Sequence, residues 1–206
     1  MINMRVFLLC SLVLMICTTN TVLGQDKTDS NLENFEELQF RLWTGYSFNS
    51  VYLLGKTKNT ISKIIGIGFK RHIRNYESGA KLYYTADVIP FVEYEYPKRD
   101  DGDNFHFAKG FGISPIGFQL MNSITPQVSY SMSISGSFII MDNTFPTDKG
   151  RKLNFTFDPS FALNTKLNSN LSLNLGYKFH HISNAQTGKE NPGIDSNFLF
   201  LSLIFK

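Results

Sequence analysis

From residue 39 onward, apolar and polar side chains alternate in segments of about ten residues, rich in Phe, Tyr, Ile, Leu, Ser and Asn and separated by turn residues. Eight such segments are predicted as strands: 39–48, 61–71, 80–93, 110–120, 126–140, 151–166, 170–183 and 194–205. After the first two dozen residues no apolar run is long enough for a membrane-spanning helix. Eight antiparallel strands can close on themselves, which leaves no strand edge exposed. Eight is also the smallest even count among single-chain transmembrane barrels. The expected fold is therefore all-β: an eight-stranded antiparallel transmembrane outer-membrane β-barrel over residues 39–206.

The connections agree with this arrangement. The first, third, fifth and seventh, "NSVYLLGKTKNT", "YEYPKRDDGDNFHFAKG", "MDNTFPTDKG" and "NAQTGKENPG", are long and fall at one end. At the other end "MNSIT" and "LNSN" are short, and "HIRNYESG" is of middling length. Long outer loops and short inner turns are the pattern of outer-membrane barrels. Pro90, Pro115 and Pro159 fall inside predicted strands. Each lacks a ladder donor and is expected at a bulge, a bend or a strand end.

The last hairpin separates a membrane barrel from a soluble one. Leu171, Leu173, Leu175, Tyr177 and Phe179 make one face of the seventh strand, and Ser172, Asn174, Gly176, Lys178 and His180 the other. An apolar face toward lipid and a polar face filling the lumen suit a membrane barrel. A soluble ligand-binding barrel of the same strand count is the rival, and it would reverse the two faces.

Three further features narrow the class. The start, "MINMRVFLLCSLVLMICTTNTVLG", has a basic residue, an apolar stretch of about a dozen residues and small residues before Gln25, which predicts a signal peptide over 1–24. Residues 25–38 read as a polar lead-in. Both cysteines, Cys10 and Cys17, lie in the signal segment, so the exported chain is expected to have no disulfide or thiolate site. The formal charge is only +3, which gives no footprint for nucleic acid.

Parity also gathers candidate chemistry. His181 and Ser183 continue the apolar, lipid-side face of the seventh strand, and Asp195 opens the same face of the eighth. Residues i and i+2 on one strand face lie about 7 Å apart at the backbone, a gap an imidazole can span. His181 could then take the proton of Ser183, with Asp195 orienting the imidazole. The plain alternative is a set of interfacial polar and turn residues. Elsewhere "RDDGDN" at 99–104 lacks the ligand spacing of a calcium loop, His72 and His106 have no metal-ligand spacing, and His180 points into the lumen.

"HISNA", a short polar insert and then "NPGID" resemble the C-terminal signature of the lipid A 3-O-deacylase (PagL-type) family of outer-membrane hydrolases. The resemblance covers about 25 residues. It implies an eight-stranded barrel with its active site on the lipid-facing wall, a His-x-Ser pair at His181 and Ser183, and an acid at Asp195. The family usually carries Glu there, so Asp195→Glu is expected to retain or improve activity, and Glu190 is a fallback acid. Asn191 falls at the family's oxyanion position, with Asn184 a secondary candidate. The implied reaction is hydrolysis of the 3-O-linked hydroxyacyl ester of lipid A, with lipopolysaccharide and outer-membrane lipid as partners, no metal or organic cofactor, and a monomer or homodimer. Two alternatives are an acyloxyacyl hydrolase of the same fold acting on a secondary chain, and a non-catalytic structural or adhesive barrel.

Overall fold

The computed structural model describes residues 38–97 and 104–206. The expected signal peptide, nearly all of the lead-in and most of the 99–104 loop lie outside the described residues. The strands are β1 (Gln39–Ser47), a two-residue β2 (Ser50–Val51), β3 (Ile61–Asn75), β4 (Lys81–Pro97), β5 (Phe105–Ser123), β6 (Val128–Phe145), β7 (Arg151–Lys166), β8 (Leu171–Ser183) and β9 (Ile194–Phe205). The eight long strands pair antiparallel in chain order, and β1 pairs with β9 to close the barrel. β2 extends the closing seam by pairing Ser50 with Ser196 and Val51 with Asp195.

The eight predicted segments correspond to the eight long strands, several of which run further than expected. β3 continues to Asn75, so the middling connection shrinks to residues 76–80. β6 continues to Phe145 and shortens the third outer loop. Pro90 and Pro115 sit at register shifts, between Ile89 and Val92 and between Ile113 and Ile116. Pro159 differs: it pairs in unbroken register with Ile134 of β6. Its missing N–H faces a gap in the β7–β8 ladder, where neither Asp158 nor Pro159 has a partner.

The outer surface is apolar. Phe40, Leu42, Ile67, Phe111, Leu163 and Leu175 are among the exposed large side chains. The lumen is filled, and its two ends differ. Toward the short turns it is polar, with Arg41 bonded through Nε to Asp87 at 2.7 Å and Lys178 Nζ 3.8 Å from the centre of the Trp43 ring. Toward the long loops it is an apolar core that includes Ile64, Tyr94, Tyr96, Ile139, Phe145 and Phe198. A greasy outer wall, with the charged and polar groups confined to the lumen, is the order a lipid solvent requires, the reverse of a soluble barrel. The apolar half also packs the lumen side of β8 and β9 where the candidate residues lie.

Candidate active site

His181 and Asp195 stand directly opposite each other across the β8–β9 ladder. Their side chains meet on the outer wall, with His181 Nδ1 2.6 Å from Asp195 Oδ1. An ionised carboxylate only accepts, so Nδ1 carries the proton and Nε2 presents its lone pair. Ser183 lies two residues on, on the same face, opposite Phe155 of β7. Its hydroxyl forms no hydrogen bond among the described residues, with His181 or any other group. Such contacts often tighten only when substrate binds.

Asp195 requires a correction. The alternation places it on an open lipid face, but it is fully buried. The connection between β2 and β3 folds down over it. The backbone N–H groups of Leu53, Leu54 and Gly55 all donate to Asp195 Oδ2, at 2.9, 2.6 and 2.7 Å. Three converging N–H groups form a nest suited to an anion. The same segment is tied to the residues before Asp195, since Lys56 N–H donates to Pro192 O at 2.6 Å and Thr57 N–H to Gly193 O at 3.2 Å. These partners are about 140 residues apart in sequence, so no local pattern announces them.

Two glycines permit this closeness. Gly193 has φ +64°, and a Cβ there would stand 2.9 Å from His181 Cε1. A Cβ on Gly55 would stand 3.0 Å from Asp195 Oδ1 and from the Gly193 carbonyl. The space around the carboxylate is therefore full. This reverses the expectation for Asp195→Glu: the extra methylene has no room unless the 53–55 nest opens. Turnover is expected to fall roughly tenfold or more, at the scale of losing a partner that orients a reacting group. Steady-state rates of the refolded variant check this, and activity at or above wild type would refute it.

The 184–193 loop builds the other side of the site. Asn191 Oδ1 accepts from the Asn184 backbone N–H at 2.8 Å. That bond fixes which end of the amide is the oxygen, and leaves the NH2 as its donor end. The Asn184 side chain is used internally: Nδ2 donates to Glu190 O at 2.7 Å and Oδ1 accepts from Gly188 N–H at 3.3 Å. The fallback acid Glu190 forms an ion pair with Lys149 at 3.2 Å. Beside the site, a groove of about 390 Å³ crosses the outer wall over β5, β6 and β7, lined by Ile116, Phe118, Gly136, Phe138, Phe155 and Phe157. Phe155 and Phe157 are the register partners of Ser183 and His181, so the groove ends one strand from the candidate residues.

His180 faces the lumen. Its Nε2 is 2.6 Å from the Tyr94 hydroxyl and its Nδ1 2.5 Å from Asp158 Oδ1. Asp158 Oδ2 accepts from Thr156 Oγ1 at 2.6 Å. Adjacent histidines thus join two separate carboxylates on opposite sides of one wall. The lumen pair was not visible in sequence beyond the parity of His180. No cluster of metal-ligating side chains occurs among the described residues.

Comparison with known proteins adds three findings. No curated protein sequence gives a match. Among solved structures the chain is similar to that of the outer membrane enzyme PagL, at 16% identity and TM-score 0.54, covering 80% of this chain and 97% of that one. It also aligns with Neisserial surface protein A (14% identity, TM-score 0.44, 82% of this chain and 96% of that one). At 16% identity the likeness to PagL carries the fold alone. The sequence model described as lipid A 3-O-deacylase (PagL) matches residues 75–203, which span the lumen pair, the 184–193 loop and all three outer-wall residues. With more than half of its length inside that match, and with an outer-membrane barrel for its fold, this chain belongs to the lipid A 3-O-deacylase (PagL) family.

Proposed function

We propose that the protein is an exported outer-membrane serine esterase that hydrolyses the 3-O-linked hydroxyacyl ester of lipid A. The observation that carries this reading is the 2.6 Å contact between His181 Nδ1 and Asp195 Oδ1 on the lipid-side wall, two residues from a serine whose hydroxyl has no hydrogen-bond partner among the described residues. An imidazole bonded to a carboxylate and facing lipid has no structural need to be there, whereas a hydrolase of a membrane ester needs one at that depth.

The chemistry uses this chain's side chains alone. Ser183 Oγ attacks the ester carbonyl carbon, and its proton passes to His181 Nε2. Asp195 keeps the Nδ1 proton in place and stabilises the imidazolium. The carbonyl oxygen becomes an oxyanion, which the Asn191 NH2 stabilises while the Asn184 N–H holds that amide in position. The bond to the sugar 3-oxygen then breaks, and the leaving oxygen takes the proton from Nε2. Water, deprotonated by His181, attacks the acyl-serine; the bond to Ser183 Oγ breaks, Oγ takes the proton back from Nε2, and a 3-hydroxy acid is released. The groove beginning at Phe155 and Phe157 suits the departing acyl chain, because it is apolar and opens to the acyl layer of the bilayer. Export through the 1–24 signal peptide, with 25–38 as a lead-in, belongs to the same reading.

Mass spectrometry of lipid A from cells expressing the protein tests it. The expected result is loss of one hydroxyacyl chain, with fragmentation placing the free hydroxyl at the 3-position. Loss of a secondary chain instead would make the protein an acyloxyacyl hydrolase, and unchanged lipid A with a folded barrel would favour a structural role. In the same assay Asn191→Ala is expected to slow turnover on the order of 10²- to 10³-fold, the usual loss for an oxyanion donor.

A further inference from the structure

The segment that holds Asp195 has an outward side that the reaction above does not use. Tyr52 is 53% and Leu53 72% exposed, and Phe48, just before β2, is 71% exposed. In water three large apolar groups so close together would be costly. They do not stand alone. Val51 pairs with Asp195 at the top of β9, and Leu199 and Leu201 continue the same outer face of that strand as exposed apolar residues. The segment thus prolongs the lipid-facing band of the barrel. Lys58 Nζ lies 4.7 Å from the centre of the Tyr52 ring, so a cation sits beside an aromatic group. That pairing is characteristic of the boundary between headgroups and acyl chains.

We propose that residues 51–57 form a lipid-seated strap: Tyr52 and Leu53 enter the outer-leaflet acyl layer, and the backbone of the same segment holds Asp195 against His181. Seating in lipid and assembly of the acid–base pair are then one event. The inference rests on the esterase reading for its consequence in catalysis, but not for its geometry. The strap bonds to β9 and to residues 192–193 through main-chain groups at residues 51 and 53–57, so one continuous segment links the lipid contact to the carboxylate. Leu53 contributes both parts, its side chain to the lipid and its N–H to Asp195. The strap is a positioning element: it does not touch the reacting ester, and it acts by fixing Asp195.

The test uses the protein refolded into phosphatidylcholine–phosphatidylglycerol vesicles. The chain has one tryptophan, Trp43. In a Trp43→Phe background, Leu53→Trp is expected to be quenched by acyl-brominated lipid as strongly as Leu199→Trp on the barrel wall. Quenching by aqueous iodide instead would overturn the lipid seat. The hold on Asp195 is read by proton NMR, because an imidazole N–H bonded to a carboxylate resonates far downfield of the amides. Such protons are expected from His181 and His180, and Asp195→Ala identifies the first by its loss. Gly55→Val, which forces a side chain against Asp195 Oδ1, is expected to remove the His181 resonance and leave that of His180, an internal check that the barrel is intact. Should Gly55→Val not fold, Leu53→Pro deletes one of the three donors and is expected to shift the same resonance. Tyr52→Ser with Leu53→Ser keeps every donor and is expected to broaden it. An unchanged His181 resonance in all of these variants would overturn the strap. These signals do not depend on turnover, so they can behave as expected even if lipid A proves not to be the substrate.

Discussion

Ser183→Ala is expected to leave lipid A intact in cells where the wild-type protein removes an acyl chain, and to leave the barrel as stable as before. The two halves of this result come from one feature. The Ser183 hydroxyl has no hydrogen-bond partner among the described residues, so its removal orphans nothing. Substitutions at such positions fall within about 0.5 kcal/mol of neutral. The chemical effect is of another size. Without the nucleophile no acyl-enzyme forms, and the loss in turnover is expected on the order of 10⁴-fold or more, with only oxyanion stabilisation and binding left. Heat-dependent mobility on a gel reads folding, and lipid A mass reads the chemistry. A folded Ser183→Ala variant that still deacylates would remove Ser183 as nucleophile and the triad with it.

The parts of this molecule that were legible in sequence are those with a local cause. Period-two alternation marks a strand facing two solvents, and it located all eight long strands. It placed His180 and His181 on opposite faces, as found. Strand ends were harder, because β3 and β6 extend beyond the clear alternation into polar residues such as Arg74 and Asn143. What the sequence hid was created by pairing across the seam. The donors to Asp195 come from a loop about 140 residues away, and that loop reads locally as an ordinary connection with a glycine. The side-chain amide of Asn184 likewise gave no sign that it would be used within its own loop. Asp158 carried no signal of its own in sequence, yet it is the partner of His180. The departure from the family's Glu takes on a physical sense only with the strap in view. A shorter acid reaches His181 because it sits directly opposite on the neighbouring strand and is held there by the nest.

The two neighbouring histidines give a second decisive result, since the same substitution at each should fail in opposite ways. His181→Ala is expected to lose turnover on the order of 10⁴-fold with little change in stability. Its carboxylate partner does not become an uncompensated charge, because Leu53, Leu54 and Gly55 still donate to Asp195 Oδ2. Only one net hydrogen bond is given up, about 1 kcal/mol. His180→Ala removes the imidazole from Asp158, which is buried in the lumen with side-chain hydroxyls as its other hydrogen-bond partners. It also strips the Tyr94 hydroxyl of its imidazole partner in an apolar surround. Breaking a buried pair from one side costs about 3–5 kcal/mol. The expected outcome is a lowered urea midpoint with unchanged m, and near-normal specific activity in the fraction that stays folded. Adding Asp158→Leu to His180→Ala is expected to restore part of the loss, since removing both partners is far milder than removing one. A one-residue register slip would exchange the faces of the two residues, so the same pair of measurements also tests the parity of β8. A stable but inactive His180→Ala would mean that the lumen pair, and not the outer one, serves the chemistry.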